Sequence, residues 1–425
     1  MYKTRFLASA AVGWALAIAL LYQPVAAAPA DKVSASPALR AFIDQAVAQH
    51  PRMQAAASEL DRARAELDAA DQPLYNPELE LDYEKTDIKT QELGLKQTID
   101  WSDKREARTQ AAQARLAAAS ARYDAIRQAF VARLMTTLVD YQVAAEQVDL
   151  AQRRHALMSR FAEIATQRRQ AGDLSQVDFD LAQLAKSEAA MQRARARSEL
   201  AAKEQALNAL AMSNTTAWPD LPQSLPAIGE HVDLDALVAE LPVVIAARAG
   251  AEANASMTEL RRRESSPDPT FGIRGGKEGE ENLVGLSFSI PLFVRNSYDA
   301  EVAAARADER AAFRDAAAVE RDARARLLAT GRRYQAVREA WQEWQQQGES
   351  SLTRQIEVLE RLWQAGELSA TDYLVQLKQA LDTRSGALNL ENESWRAWFD
   401  WLENSGRATQ WAGLPDSNEF KRNMK

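Results

Sequence analysis

The chain has no cysteine in its 425 residues and only three histidines, His50, His155 and His231. The missing cysteine excludes a disulfide scaffold, thiol catalysis, cysteine-ligated zinc and iron–sulfur clusters, and leaves no residue to carry a lipoprotein thioether. The histidines stand far apart, and none has a second histidine three or four positions on. They are read as packing or surface residues, not as metal ligands. Glycine and proline are sparse, at 16 and 14 residues, which rules out a collagen-like or low-complexity chain. Basic residues number 52 against 60 acidic ones, and the net charge of -8 argues against a nucleic-acid partner. Nucleophile elbow, P-loop, dinucleotide fingerprint and HExxH helix are all absent, so no catalytic, cofactor-binding or metal residues are assigned and no enzyme is expected. With 46% hydrophobic residues the chain is nevertheless expected to fold.

Long apolar runs are lacking too, with one exception. Lys3 and Arg5 precede an apolar run from Phe6 to Tyr22, followed by Val25-Ala26-Ala27. This is the pattern of a secretory signal peptide over residues 1–27, with small residues flanking a cut after Ala27; a retained membrane anchor is the alternative. Beyond it no segment is apolar enough for a transmembrane helix. An exported chain of this kind is either periplasmic or crosses the outer membrane with β-strands.

What the sequence does have is an internal duplication. Gln170-Ala171-Gly172-Asp173-Leu174-Ser175 recurs as Gln364-Ala365-Gly366-Glu367-Leu368-Ser369, an offset of 194. Asn76-Pro77 pairs with Asp268-Pro269 at 192, and Leu93-Gly94-Leu95 with Val284-Gly285-Leu286 at 191. His50-Pro51 pairs with Leu241-Pro242, also at 191. The first repeat is placed at 28–212 and the second at 231–405, with a Pro- and Ser-containing linker over 213–230 and a polar tail over 406–425.

Each repeat reads helix, strand, loop, strand, long helix, turn, helix. Helical segments are expected over 37–70 and 233–264. Strict alternation in Leu79-Glu80-Leu81-Asp82-Tyr83-Glu84 marks a strand with one apolar face, and β-hairpins are expected over 76–100 and 269–291. Phe271, Ile273, Val284, Leu286 and Phe288 alternate with small or polar residues, which suits a wall with lipid on one side and water on the other. The α-hairpins over 104–212 and 296–405 follow. Their first arms, Lys104–Gln170 and about 296–365, are expected as unbroken rods, the first about 100 Å long. Narrow apolar seams on such rods pack laterally as coiled coils. Gly172 and Gly366 end the rods as left-handed caps. The return helices are about 57 Å long, so a second short helix must stack on each; the lengths suggest 174–212 with 233–264, and 37–70 with 368–405.

Four strands of eight to ten residues suit an outer-membrane hydrocarbon layer. Four cannot close around a lumen, and open edges are not tolerated in lipid, so the barrel must be shared among identical copies.

The duplication, the Asn76-Pro77 and Asp268-Pro269 strand starts, the Ser289-Ile290-Pro291-Leu292-Phe293-Val294-Arg295-Asn296 segment and the paired turns together resemble the TolC family of outer membrane factors, over nearly all of the mature chain. The Ile-Pro-Leu-Phe-x-Arg-Asn segment and the length resemble most its CzcC-like heavy-metal branch. The resemblance implies a mostly α fold with a small β part: long coiled-coil α-hairpins forming a periplasmic tunnel, and four transmembrane β-strands per chain in a shared trimeric twelve-stranded barrel. It implies a homotrimer in outer-membrane lipid that joins a periplasmic adaptor and an inner-membrane resistance-nodulation-division transporter, without cofactor or nucleic acid. The implied cargo is heavy-metal cations; drugs, or proteins of type I secretion, are the alternative. Residue by residue it puts adaptor contacts at Ala171, Gly172, Leu174 and Ser175 and at Ala365, Gly366, Leu368 and Ser369, where helix capping alone is the plainer reading. Asp372, with its repeat mate Asp178, matches an aperture carboxylate of the family, while Val375 stands where a second acidic ring would sit.

Three further groups stand out. Trp395, Trp398 and Trp401 recur at helical spacing and read as packing core. Tyr83 and Phe293 are the better candidates for an aromatic belt. Arg261-Arg262-Arg263 reads as a solvated or headgroup-facing patch.

Overall fold

The computed structural model describes residues 35–213, 217–229 and 233–415. The signal segment 1–27, His231 and the last ten residues lie outside these. In the first repeat α1 (Pro37–Gln49) and α2 (Pro51–Ala70) lead into β1 (Glu78–Lys85) and β2 (Lys89–Thr98), then α3 (Lys104–Ala171) and α4 (Gln176–Ala211). In the second, α5 (Leu234–Glu240) and α6 (Pro242–Glu264) lead into β3 (Thr270–Glu278) and β4 (Glu281–Ser289). There follow α7 (Asp299–Glu343), a π-helical turn (Trp344–Gly348), α8 (Glu349–Ala365), α9 (Ala370–Asn404) and the short α10 (Ala408–Trp411). Among the described residues no helix is long and apolar enough to cross a membrane.

Three helical segments expected to be continuous are broken, each for a local reason. Segment 37–70 stops at His50, which is extended at φ -72° and ψ 127°, and restarts with Pro51. Segment 233–264 does the same at Leu241 and Pro242. A proline pushes the preceding residue out of the helical region and has no N–H to donate, so it serves well only at a helix start. The second rod carries the π-helical turn, within which the Trp344 ring lies over Gly348, where a Cβ would collide with it.

All four strands form one antiparallel sheet in the order β1-β2-β3-β4. The central pairing of β2 with β3, Leu95 opposite Ile273 and Thr98 opposite Thr270, joins the two repeats. Leu79, Leu81, Leu93, Leu95, Phe271, Ile273, Val284, Leu286 and Phe288 share one face by register and are all exposed. The opposite face carries Glu80, Asp82, Glu92, Lys96 and Arg274 among glycines and Ser287. Gly285 on that face leaves room for the Arg274 side chain, whose Nη1 lies 3.4 Å from Glu92. Among the described residues β1 and β4 have no strand beyond them.

α3 is the spine, packing against α2, α4, α6 and α9, while α7 packs on α6 and α9. The stacking of short helices differs from the pairing expected from length. α9 ends at Gly406 against Leu241 and Pro242, at the start of α6, and α4 ends beside α1. Each stack thus forms within one repeat. Both pairings satisfy the lengths; buried apolar ends decide, with Leu207 and Ala211 of α4 in one core with Leu39 and Ile43 of α1.

That core also takes in Trp395, Trp398 and Trp401, all buried, so these three pack helices and form no membrane belt. The stretch 406–425, expected as a polar tail, is docked as far as it is described. Trp411 meets Phe399 edge-on at 5.2 Å, Gln128 donates to the Gly406 carbonyl at 2.8 Å, and Arg127 donates to that of Pro415 at 2.9 Å. Four buried apolar residues, Ala408, Trp411, Ala412 and Leu414, hold it down. The linker is likewise anchored: Trp218 packs on Phe42, and the buried Tyr334 hydroxyl donates to the Pro226 carbonyl.

Glu391 on α9 is pushed up to about 7, by burial first and then by the Glu146 carboxylate, with Arg384 opposing. A raised carboxylate stabilises the fold fully below its unfolded value of 4.5 and loses that contribution as pH rises through about 7. Glu391→Gln is therefore expected to raise the melting midpoint at about pH 8 and leave it unchanged at about pH 4, a flattening read by thermal melts across that window.

Candidate functional site

Two places concentrate chemistry: the helix turns at one end and the base of the sheet at the other. At the turns, Gly172 and Gly366 adopt left-handed backbone at φ 86° and 78°. A residue with a Cβ is strained there, which is why glycine ends both rods. The next amides close the turns: Asp173 donates to the Arg168 carbonyl at 2.8 Å and Glu367 to that of Leu362 at 3.0 Å. Ser175 and Ser369 then cap the return helices, accepting from the amides of Asp178 and Asp372 at 3.1 and 3.0 Å. Each serine hydroxyl donates back to the same aspartate's carboxylate, at 2.6 and 2.7 Å. Both aspartates thus spend one oxygen on a local cap; Asp372 remains exposed and Asp178 is half-buried. Ala171, Gly172 and Ser175, with Ala365, Gly366 and Ser369, are also exposed, whereas Leu174 and Leu368 tuck against the apolar core of the turn end. Replacing Ser175 and Ser369 together by Ala is expected to cost about 1 kcal/mol at each helix start, seen as faster proteolysis of the turns with the global unfolding midpoint little changed.

Sequence reasoning missed what links the two turns. Arg168 donates to the Trp363 carbonyl at 2.8 Å, and its guanidinium lies 4.3 Å from the Trp363 ring centre. Trp363 in turn stacks on Tyr373 at 5.3 Å and tilts against Phe161 at 5.0 Å. Burial pushes the Tyr373 phenol well up. A tryptophan one turn before a capping glycine was the available signal.

At the base of the sheet, the Asp268 that precedes β3 is buried, and Lys104 at the start of α3 reaches it at 2.9 Å. Lys104 also donates to the Ser266 carbonyl at 2.6 Å, and the Tyr75 hydroxyl to Asp268 at 2.7 Å. Burial, and then that bond, push the Tyr75 phenol up to about 12. This node ties the strand start of the second repeat to the first repeat's long helix. Beside it the arginine triplet is not a bare patch. Glu259 pairs with Arg262 and Arg263 and is held at about 2 by their hydrogen bonds, and Arg261 pairs with Glu264 at 2.6 Å.

His50 accepts from the Arg52 amide at 3.1 Å as the cap of α2, and His155 sits 3.2 Å from Arg193. Burial first, then neighbouring cations, push both imidazoles down. Among the described residues no three His, Cys, Asp or Glu side chains converge as a metal site would require.

Residues 42–211 match the family of outer membrane efflux proteins. Over 280 residues the chain is 27% identical to the cobalt-zinc-cadmium resistance protein CzcC of Cupriavidus metallidurans, covering 64% of this chain and 67% of that protein. The CusC channel structure superposes with a TM-score of 0.73 at 14% identity, over 88% of this chain and 93% of its own. The Campylobacter jejuni CmeC outer membrane channel gives 0.74 at 16% identity, over 91% and 88%. The chain resembles the outer membrane efflux proteins, by the match over residues 42–211 and by its fold.

Like the proteins of that family and the channels it superposes on, it is a transport duct and not an enzyme. Its apolar-faced sheet belongs to the β-barrel portion and its helices to the large periplasmic tunnel. The two candidate regions therefore lie at opposite ends of the helices, the node of Lys104 and Asp268 where barrel meets tunnel and the capped turns at the far end.

Proposed function

We propose that the chain forms the outer-membrane exit duct of a tripartite efflux pump and passes heavy-metal cations. The observation that carries the cargo is the polar face of the sheet. Glu78, Glu80, Asp82, Glu84, Glu92, Glu278 and Glu281 share it by register, with Lys96 and Arg274 as its basic residues. A lumen lined this way favours cations without holding them tightly. The likeness to a protein named for cobalt, zinc and cadmium resistance supports the same cargo. The unpartnered edges of β1 and β4 support a barrel completed by further copies, since lipid tolerates no open edge; the resemblance to the TolC family implies three. The exposed turn residues Ala171, Gly172, Ser175, Ala365, Gly366 and Ser369 offer the surface for a periplasmic adaptor, with Leu174 and Leu368 shaping it from beneath. That adaptor would connect the duct to a resistance-nodulation-division transporter. Asp178 and Asp372 are proposed to line the aperture with their remaining carboxylate oxygens.

The test is deletion in the native host, followed by challenge with zinc, cobalt, cadmium and a dye panel. Metal sensitivity that the intact chain reverses is expected. A duct carrying Glu80→Lys, Asp82→Lys and Glu92→Lys should insert normally, restore resistance poorly, and show a reduced cation-to-anion permeability ratio in planar bilayers. Sensitivity to dyes alone overturns the metal reading.

A further inference from the structure

The apolar face of the sheet does not end where its ladder ends. Thr98, Thr270 and Ser289 form one row across β2, β3 and β4. β2 and β4 run in the same direction past this row, and Trp101 and Leu292 each lie three residues beyond it. In the first repeat the side chains alternate. Asp100 turns inward to accept from the amides of Lys104 and Arg105, at 2.9 and 2.8 Å, while Ile99 and Trp101 stay in the open. In the second repeat Phe293 packs on Tyr298 at 4.9 Å, and Leu292 and Val294 on either side are 74% and 86% exposed. Trp101 is 59% exposed, unlike Trp395, Trp398 and Trp401, which are buried.

We propose that Trp101, Leu292 and Val294 form an interfacial collar seating the barrel base in the periplasm-facing phospholipid leaflet of the outer membrane. The collar rests on the reading of the sheet's apolar face as lipid-facing, and it extends that face to the same level in both repeats. Lipid is the occupant because neighbouring copies meet the sheet at its edges, β1 and β4, whereas the outward face of a closed barrel stays outward. Tryptophan favours this depth, with its ring in the acyl boundary and its N–H among headgroups. The arginine triplet, whose Arg263 reaches the Asp103 carbonyl, is paired with Glu259 and Glu264, so the apolar side chains rather than these three charges carry the collar. Phe293, expected from sequence as a belt residue, is the one that turns inward.

The cysteine-free chain allows a direct test. Nitroxide labels are placed at Trp101→Cys, Leu292→Cys and Val294→Cys in the full chain, in vesicles of phosphatidylethanolamine and phosphatidylglycerol. Val284→Cys on the mid-sheet apolar face and Val177→Cys near the helix turns set the lipid and water limits. Collision with oxygen and with a water-soluble nickel chelate reads the depth. The expected result is a severalfold higher oxygen-to-nickel ratio at the three collar positions than at position 177, with position 284 higher still and no dependence on salt. Collar ratios equal to that of position 177 overturn the proposal, as do labels shielded from both probes, which would mean that a neighbouring copy covers them. If position 284 also matches position 177, the lipid-facing reading of the whole sheet has failed, and the collar with it.

Discussion

Lys104→Ala is expected to cost about 3–5 kcal/mol of folding stability, because it leaves a buried carboxylate without its cation. The Asp268 side chain is 3% exposed, and Lys104 supplies its charge partner at 2.9 Å. The hydroxyls of Tyr75 and Ser102 approach it as well, but neither offsets a full negative charge. Removing both charges together, as Lys104→Met with Asp268→Leu, should recover most of the loss, since two apolar side chains of similar volume need no solvation. Denaturant unfolding of the detergent-solubilised protein, followed by tryptophan fluorescence, separates these outcomes. Equal midpoints for Lys104→Ala and the parent chain would show that the pair is dispensable. The consequence reaches beyond stability, because this node fixes the start of β3 against α3. The single variant should also reduce the fraction that assembles in the outer membrane.

Trp363→Ala is expected to cost about 3–5 kcal/mol as well, by opening a cavity in a small core with little else to fill it. The Trp363 ring is shared among Phe161, Tyr373 and the Arg168 guanidinium. Its removal also takes away the cation–π contact that accompanies the bond from Arg168 to the Trp363 carbonyl. The effect should be local. Amides of Gly366 and Glu367 should exchange faster with deuterium, as should those around Phe161 and Tyr373, while the core around Trp398 keeps its protection. Trp363→Phe should retain most of the parent behaviour. If hydrogen exchange at the turns is unchanged in Trp363→Ala, the aromatic cluster does not hold the two turns together. Loosened turns should also weaken adaptor binding, which pull-down with the cognate adaptor would register.

Much of the architecture was legible because it depends on periodicity. The alternation of Leu79, Leu81 and Tyr83 with Glu80 and Asp82 gives a strand with two chemically different faces wherever it is placed. Gly172 and Gly366 signal their turns because few other residues tolerate left-handed backbone. The serines behind them signal the return helices for an equally local reason, the need to satisfy free amides. Helix continuity was legible only in part. Pro51 and Pro242 mark corresponding points of the two repeats, and each also breaks its helix, which the apolar periodicity on either side conceals. The π-helical turn had no such marker, because Gly348 matters only through the Trp344 ring folded over it.

Long-range partners were the illegible part. Lys104 and Asp268 are 164 positions apart, and Arg168 and Trp363 are 195 apart. No local pattern specifies such pairs, since they follow from which helices lie side by side. The stacking of α9 beneath α6 belongs with them: segment lengths allowed either partner, and the buried helix ends chose between them. By itself the sequence determined the two-fold repeat, the strand faces and the capped turns, because each follows from short-range sterics, hydrogen bonding and side-chain alternation. Only the tertiary structure decided how the repeats join, through the pairing of β2 with β3, the Lys104–Asp268 node and the Arg168–Trp363 contact. Those depend on desolvation and close packing between distant segments, which no spacing along the chain encodes.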